Sequence, residues 1–330
     1  MSLIDLYATS PASAQLSPEE FRRRTVTVAR WAEAAGCRGV LVFTDNESVD
    51  PWSVAQLVIE HTDRLVPLVA AQPPYMHPYA VARLVSSIAF LYGRQLDLNL
   101  VTGGNPHRLR TMSAPLGHDE RYDRLAEYGS VISGLLSGGE EPMDFSGTYY
   151  ELRQARIRPA LPMVLQPKIY VAGSSPACLR VAQRLGVNRL SYPRALSHYA
   201  SDDAEMKHTG VRLGVIARAS SGEAWRVARQ RFPPDRDGER NNATRSRMTE
   251  SRWHHQLFQD VQAGREPDNP YWLYPFQAHK QFCPYLVGSY AEVGRYLAGY
   301  LDMGVSTLIL NEPRDPDDLH HARLAIARAA

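Results

Sequence analysis

The sequence predicts an α/β fold, a TIM (β/α)8 barrel with insertions. Three observations predict it. Eight short runs rich in Val, Ile and Leu alternate with amphipathic helical stretches along most of the 330 residues. The runs show no apolar/polar alternation, so both faces of each strand are buried, as in a parallel sheet. Several runs break off into Gly, Ser, Thr and Asn, residues suited to loops at the carboxyl ends of strands. A doubly wound open sheet is the rival arrangement of the same elements.

The first expected strand is Leu3–Ala8. A helix over Pro18–Ala35 follows, with Ser17 as N-cap and Pro18 at the first helical position. The second strand, Gly39–Phe43, ends in Thr44-Asp45-Asn46. The third, Leu65–Ala71, leads through Gln72-Pro73 to a helix over Pro78–Tyr92, where Val81, Leu84, Val85, Ile88 and Leu91 form one stripe. The fourth, Leu96–Val101, carries Asn99 and opens into Thr102-Gly103-Gly104-Asn105. Such a loop brings backbone N–H groups and a hydroxyl close to a flat or anionic ligand. The Arg121–Leu136 helix comes next, with His118 and Tyr122 four residues apart around its start. The fifth strand, Ile169–Ala172, passes through Gly173-Ser174-Ser175 into a helix over Pro176–Leu185. Gly173 permits close backbone approach, and the positive helix end favours an anion, which makes this turn a phosphate cradle. Ser175 with Pro176 also reads as an ordinary helix start. Strands Arg189–Tyr192, Val211–Ala217 and Ser306–Asn311 complete the eight. Helices Ser221–Arg231, Tyr290–Asp302 and Pro316–Ala329 accompany them.

Two stretches interrupt the repeat within a single expected domain, 1–330. Residues 138–167 are rich in turn formers and read as an excursion at the strand ends. Residues 232–284 start polar and become aromatic, in NPYWLYPFQ, and a segment this long is expected to be a lid, a binding loop or disordered.

Composition narrows the function classes. Formal net charge is +2, with no basic run of the kind that binds nucleic acid. No apolar stretch has the length of a membrane span. The amino terminus lacks a signal-peptide pattern, and three widely spaced cysteines, Cys37, Cys178 and Cys283, fit a cytoplasmic location. There is no Gly-x-Gly, no P-loop, no Gly-x-Ser-x-Gly elbow, and no His-Glu-x-x-His or Cys-x-x-Cys. A metal site therefore has no positive support. The adjacent pairs His254–His255 and His320–His321 read as surface residues. A barrel without these signatures uses dispersed residues or takes its chemistry from a cofactor.

Taken together, LNLVTGG with Pro106, HDERY with Glu127-Tyr128, and the strand–Gly-Ser-Ser–helix turn at Gly173–Ser175 resemble the bacterial luciferase-like, two-component flavin monooxygenases, the alkanesulfonate monooxygenase group above all. The resemblance runs from about Ala8 to Leu310. It implies FMN as the reduced cosubstrate FMNH2, O2 activated as a flavin C4a-(hydro)peroxide, a separate NAD(P)H:flavin reductase, a small-molecule substrate and a homodimer or homotetramer. Residue by residue, it assigns phosphate binding to Ser174 and Ser175, with Gly173 in the turn and Tyr122 and His118 at the phosphate end. Thr102 and Asn99 contact the flavin, as does Thr44 or Asp45. Arg212, Ser48 and Tyr192 are the candidate catalytic residues. Three of these positions depart from the sulfonate enzymes. Ser48 stands for a cysteine, Tyr192 for a tryptophan, and the strand bearing Arg212 has Gly214 where a histidine is expected. The arginine of their mobile lid has no clear copy in Gln277–Tyr290, although Lys280 is available. A sulfonate substrate does not follow, and a natural-product intermediate is equally compatible. The alternative function is a barrel that binds reduced flavin or deazaflavin for hydride transfer, or one that has lost oxygenation.

Overall fold

All eight expected strands form, and the fold is a closed parallel eight-stranded barrel with surrounding helices. The computed structural model describes residues 4–14, 16–103, 106–112, 116–139, 141–199, 206–246, 251–262 and 270–329. Gly104 and Asn105 of the fourth strand's loop lie outside them.

The elements run β1 (Asp5–Thr9), α1 (Pro18–Ala34), β2 (Gly39–Val42), α2 (Pro51–Glu60), β3 (Val66–Ala71), α3 (Pro78–Tyr92), β4 (Asp97–Leu100), α4 (Pro106–Thr111) and α5 (His118–Ser137). Then come β5 (Met143–Ser146), β6 (Glu151–Ala155), β7 (Ile169–Ala172), α6 (Pro176–Leu185), β8 (Asn188–Ser191), β9 (Thr209–Arg218) and α7 (Ser221–Arg231). The last are α8 (Arg236–Ser246), α9 (Arg252–Gln262), β10 (Tyr271–Trp272), α10 (Tyr274–Gln277), β11 (Tyr285–Ser289), α11 (Tyr290–Asp302), β12 (Val305–Leu310) and α12 (Pro316–Ile326). Among the described residues, no helix is long and apolar enough to cross a membrane.

The chain divides into two compact units. One comprises Ser10–Arg30 and Gly39–Arg189. Its strands β2, β3, β4 and β7 pair in parallel, with Val69 opposite Leu98 and Asn99 opposite Tyr170. The sequence marks its helix starts clearly. Asp50 caps α2 by accepting from the Trp52 and Ser53 amides at 3.0 and 3.3 Å, and Ser175 caps α6 by accepting from the Cys178 amide at 3.2 Å. Buried Val85, Ile88, Leu98, Leu125, Ile132 and Val171 belong to one continuous core. In the expected excursion, β5 and β6 form an antiparallel ribbon. Glu127 of α5 binds the turn between them. Its carboxylate accepts from the amides of Thr148, Tyr149 and Tyr150 at 2.7, 2.8 and 3.1 Å. In the HDERY continuation, Glu127 therefore serves the scaffold.

The other unit comprises residues up to Thr9, Trp31–Arg38 and Leu190–Ala330. Here β1 pairs with β12 and β12 with β9, all in parallel. The ten-residue β9 divides its pairing. Thr209–Leu213 lies beside β12, while Gly214–Arg218 lies beside β11. That parallel strand is additional to the eight expected from the sequence. The stretch expected to be a lid is not mainly loop, since α8, α9, β10 and α10 all lie within it. The three cysteines are free and buried.

Candidate active site

In the first unit, a glycine orders the turn after β7. Gly173 has φ +148°, and a Cβ there would collide with the Tyr122 hydroxyl. Only glycine lets that phenol reach the turn. The Tyr122 hydroxyl donates to the Ala172 carbonyl at 3.2 Å and also meets the hydroxyls of Thr102 and Ser175. Burial pushes its pKa up, so it stays a neutral donor. Thr102, Tyr122, Gly173 and Ser175 are thus one cluster at the head of α6. Ser174, half-buried, is the neighbouring hydroxyl. The His118 ring lies 5.2 Å from that of Tyr122, and its Nδ1 is 2.6 Å from Asp119. Asn99, on β4, is 7% exposed, and its side-chain oxygen is buried without a hydrogen-bond partner.

Thr44, Asp45 and Ser48 lie together in the same unit. They line a cavity of about 230 Å³ with Gln72, Tyr75 and Tyr128. Asp45 is already committed. Its carboxylate pairs with Arg108 and accepts from the Glu47 amide at 3.0 Å. The Tyr128 hydroxyl, at this cavity, is buried without a partner.

The second unit holds Arg212 and Tyr192. The guanidinium lies 5.9 Å from the centre of the Tyr192 ring, donates to that hydroxyl at 3.5 Å and to the Asn311 amide oxygen at 3.1 Å, and leaves its Nε–H buried without an acceptor. Neither partner is charged. Gly214 has a plain cause. It pairs in register with Tyr285, and a Cβ on it would fall within the Tyr285 ring. The Tyr285 hydroxyl accepts from the Asn311 amide at 2.9 Å, and its ring meets Phe232 edge-on at 5.1 Å. A side chain at position 214 is excluded because β11 supplies an aromatic ring there.

Sequence reasoning missed several residues of this cluster. In the first turn of α9, Trp253 packs tilted against the Tyr192 ring at 4.6 Å and His254 stacks on it at 5.6 Å. His255 is exposed, as expected, but His254 is not a surface residue. Its Nε2, like Trp253 Nε1, is buried without a partner. Burial and the nearby His255, Arg212 and His279 bring the His254 pKa down to about 4, so it is neutral at ordinary pH. Asp260, in the last turn of α9, pairs with Arg194 and fixes the helix. The one available signal was the aromatic pattern of WHHQLF. Of the other histidine pair, His320 is exposed and His321 Nδ1 bonds the Tyr290 hydroxyl at 2.7 Å. Lys280 forms an ion pair with Asp235.

Comparison with known proteins gives consistent matches. The family model described as luciferase-like monooxygenase matches residues 4–307. The 4-(γ-L-glutamylamino)butanoyl-[BtrI acyl-carrier protein] monooxygenase BtrO of Niallia circulans is 32% identical over 309 residues, covering 92% of this chain and 90% of that protein. Among solved structures, EDTA monooxygenase EmoA from Chelativorans sp. BNC1 aligns with a TM-score of 0.74 at 16% identity, over 99% of this chain and 93% of that one. The oxygenating constituent of 3,6-diketocamphane monooxygenase from Pseudomonas putida, in complex with FMN, aligns at 0.69 and 15%, over 100% and 98%. At these identities the two structures speak for the fold.

Proposed function

The chain belongs to the luciferase-like monooxygenases and is a flavin-dependent oxygenase, and from that premise we propose that it is the oxygenating half of a two-component system. It takes FMN in reduced form from a separate NAD(P)H:flavin reductase and uses O2 to oxygenate a small or medium organic substrate. The sequence offers no dinucleotide fingerprint for NAD(P)H, which supports a separate reductase. The diketocamphane enzyme's FMN supports the choice of flavin. BtrO, by its name, acts on a carrier-bound acyl group, and this favours an acyl substrate with amide or carboxylate groups over a sulfonate.

The observation that carries the proposal is the Gly173 turn. It combines a glycine whose side-chain space belongs to Tyr122, a hydroxyl at Ser174 and the positive end of α6. This chemistry suits a phosphate, and Asn99's unpartnered oxygen suits a flavin ring N–H. Reduced FMN, when bound, supplies the electrons that activate dioxygen. The protein's own tasks are positioning and shielding. Ser174 and the α6 amides would hold the phosphate, while Tyr122, held by Ala172 O, keeps the turn open. Thr102, Asn99 and Thr44 would orient the ring, and Asp45 is assigned to the loop instead because Arg108 already holds it. Arg212 with Tyr192 would receive a polar group of the substrate, Ser48 would line the cavity beside Thr44, and α9 would exclude water.

Anaerobic titration with reduced FMN and reduced riboflavin tests the assignment. Ser174→Ala should weaken FMN about tenfold or more and leave riboflavin nearly unchanged, because a lost charge-assisted hydrogen bond costs about 1.5–3 kcal/mol. Equal loss for both ligands would move the phosphate elsewhere. Normal turnover with NADH and FMN alone would remove the reductase from the scheme.

A further inference from the structure

Three nitrogen atoms in the second unit stand out. Arg212 Nε, Trp253 Nε1 and His254 Nε2 are all buried, and among the described residues all lack a hydrogen-bond partner. They belong to residues packed around the single ring of Tyr192. Two of them are obligatory donors, and a neutral imidazole donates from Nε2 in one tautomer. Unpaired buried donors are costly and rare, so three around one ring call for an acceptor from outside the chain. The guanidinium also sets the charge of that acceptor. Its partners, Tyr192 and Asn311, are both neutral, and a half-buried cation with no carboxylate partner among the described residues favours an anion. The first turn of α9 adds the positive end of an eleven-residue helix.

The geometry points to Arg212, Trp253 and His254 as a binding site for a carboxylate group of the substrate, two of its three donors coming from α9. The inference rests on the reading that this cluster is the substrate's side of the reaction. It makes the inserted helix a specificity element as well as a cover. It also supplies an imidazole by a route that Tyr285 closes to β9. Among the described residues, the charged groups that act on His254 are His255, Arg212 and His279, all basic. The γ-glutamyl group in the name of BtrO's substrate carries a free carboxylate of the required kind.

Isothermal titration of the full chain with glutarate tests the site, with glutaramide as the uncharged isostere and sodium chloride as a simple anion. Glutarate is expected to bind about tenfold or more tightly than glutaramide. Trp253→Phe and His254→Phe keep an aromatic ring against Tyr192 and remove one donor each, and each should weaken glutarate about tenfold. His254→Gln, which restores a side-chain N–H, should recover part of the loss. Absence of glutarate binding, equal binding of glutaramide, or unchanged affinity in both phenylalanine variants would overturn the proposal. Should Trp253→Phe fail to fold by circular dichroism, the two His254 variants decide alone. Reduced FMN and riboflavin are titrated in parallel. Intact FMN preference with glutarate insensitive to substitution sinks only the carboxylate site. Glutarate sensitivity without FMN preference sinks only the flavin assignment.

Discussion

Replacing Gly214 by alanine should damage the fold by an amount that Tyr285 determines. The new Cβ would lie inside van der Waals distance of three carbons of the Tyr285 ring. Contact between carbons is comfortable at about 3.5–4.0 Å, so the ring must retreat by more than about 1 Å. Phe232, edge-on at 5.1 Å, obstructs it. Retreat also breaks the 2.9 Å hydrogen bond from Asn311. Overpacking costs about 1–3 kcal/mol and the lost hydrogen bond about 1 kcal/mol, giving about 2–4 kcal/mol. Tyr285→Ala alone should cost about 3–5 kcal/mol through the cavity it leaves. The double variant should cost less than the sum, because the alanine at 214 then has room and fills part of that cavity, with a coupling of about 1–3 kcal/mol. Urea unfolding followed by circular dichroism measures all three. Gly214→His, which places the sulfonate enzymes' residue in β9, should be worse than Gly214→Ala and should not raise activity. Additive costs, or a well-tolerated histidine, would refute the claim that Tyr285 dictates glycine at this position.

Three further outcomes are expected. His254 has a folded-state pKa of about 4 against an ordinary 6.5. The unfolded chain therefore binds the proton first, and stability is intact above pH 6.5 and declines as pH falls toward 4. The gap amounts to about 3 kcal/mol at most, so wild type should lose more Tm than His254→Phe between pH 7 and 4.5. Asp260→Asn leaves Arg194 without its carboxylate and should loosen α9, costing about 2–3 kcal/mol. Hydrogen exchange should then rise across 252–262 and stay unchanged in β9. Glu127→Gln weakens three charge-assisted bonds to the β5–β6 turn, and chemical denaturation should show a loss of about 1.5–3 kcal/mol, with faster proteolysis at 147–150.

The barrel was legible because its signals are local. Ser17-Pro18, Ser175-Pro176 and Asp315-Pro316 mark helix starts by capping chemistry alone, and the strands are unbroken apolar runs. α2 went unseen although Asp50 caps it and Ser53, Gln56 and Glu60 share one polar face, because ten residues give only a short periodic signal. β11 went unseen for a tertiary reason, since β9 changes partner at Gly214 and makes room for a strand beyond the eight-unit repeat. α8 is almost entirely polar, so its segment reads as loop. The Gly173 turn was readable as a backbone feature, but its association with Tyr122 came only through the family resemblance, because the two lie 51 positions apart and meet only in the folded chain. His254 was misread for the same kind of reason. Neighbouring helical residues do diverge, and His255 faces solvent, but burial of His254 depends on Tyr192, Phe276 and Phe282 arriving from other elements.

The Gly173 turn and the Tyr192 cluster differ in how their polar groups are satisfied, and under the proposed function the difference follows from what each would hold. At the head of α6, Tyr122 is bonded to Ala172, and Ser175 to Cys178. That turn is rigid before any ligand arrives, which suits a coenzyme whose phosphate is always the same shape. Around Tyr192, three donors are left open at about 1–3 kcal/mol each. In a protein with about 5–15 kcal/mol of stability, such a cost persists at one place only where a ligand offsets it. Under the proposed function, cofactor recognition would rest on short-range backbone chemistry and substrate recognition on side chains of β9 and of an inserted helix. Insertions can change without disturbing the barrel, so relatives with the same fold and the same coenzyme can oxygenate different molecules.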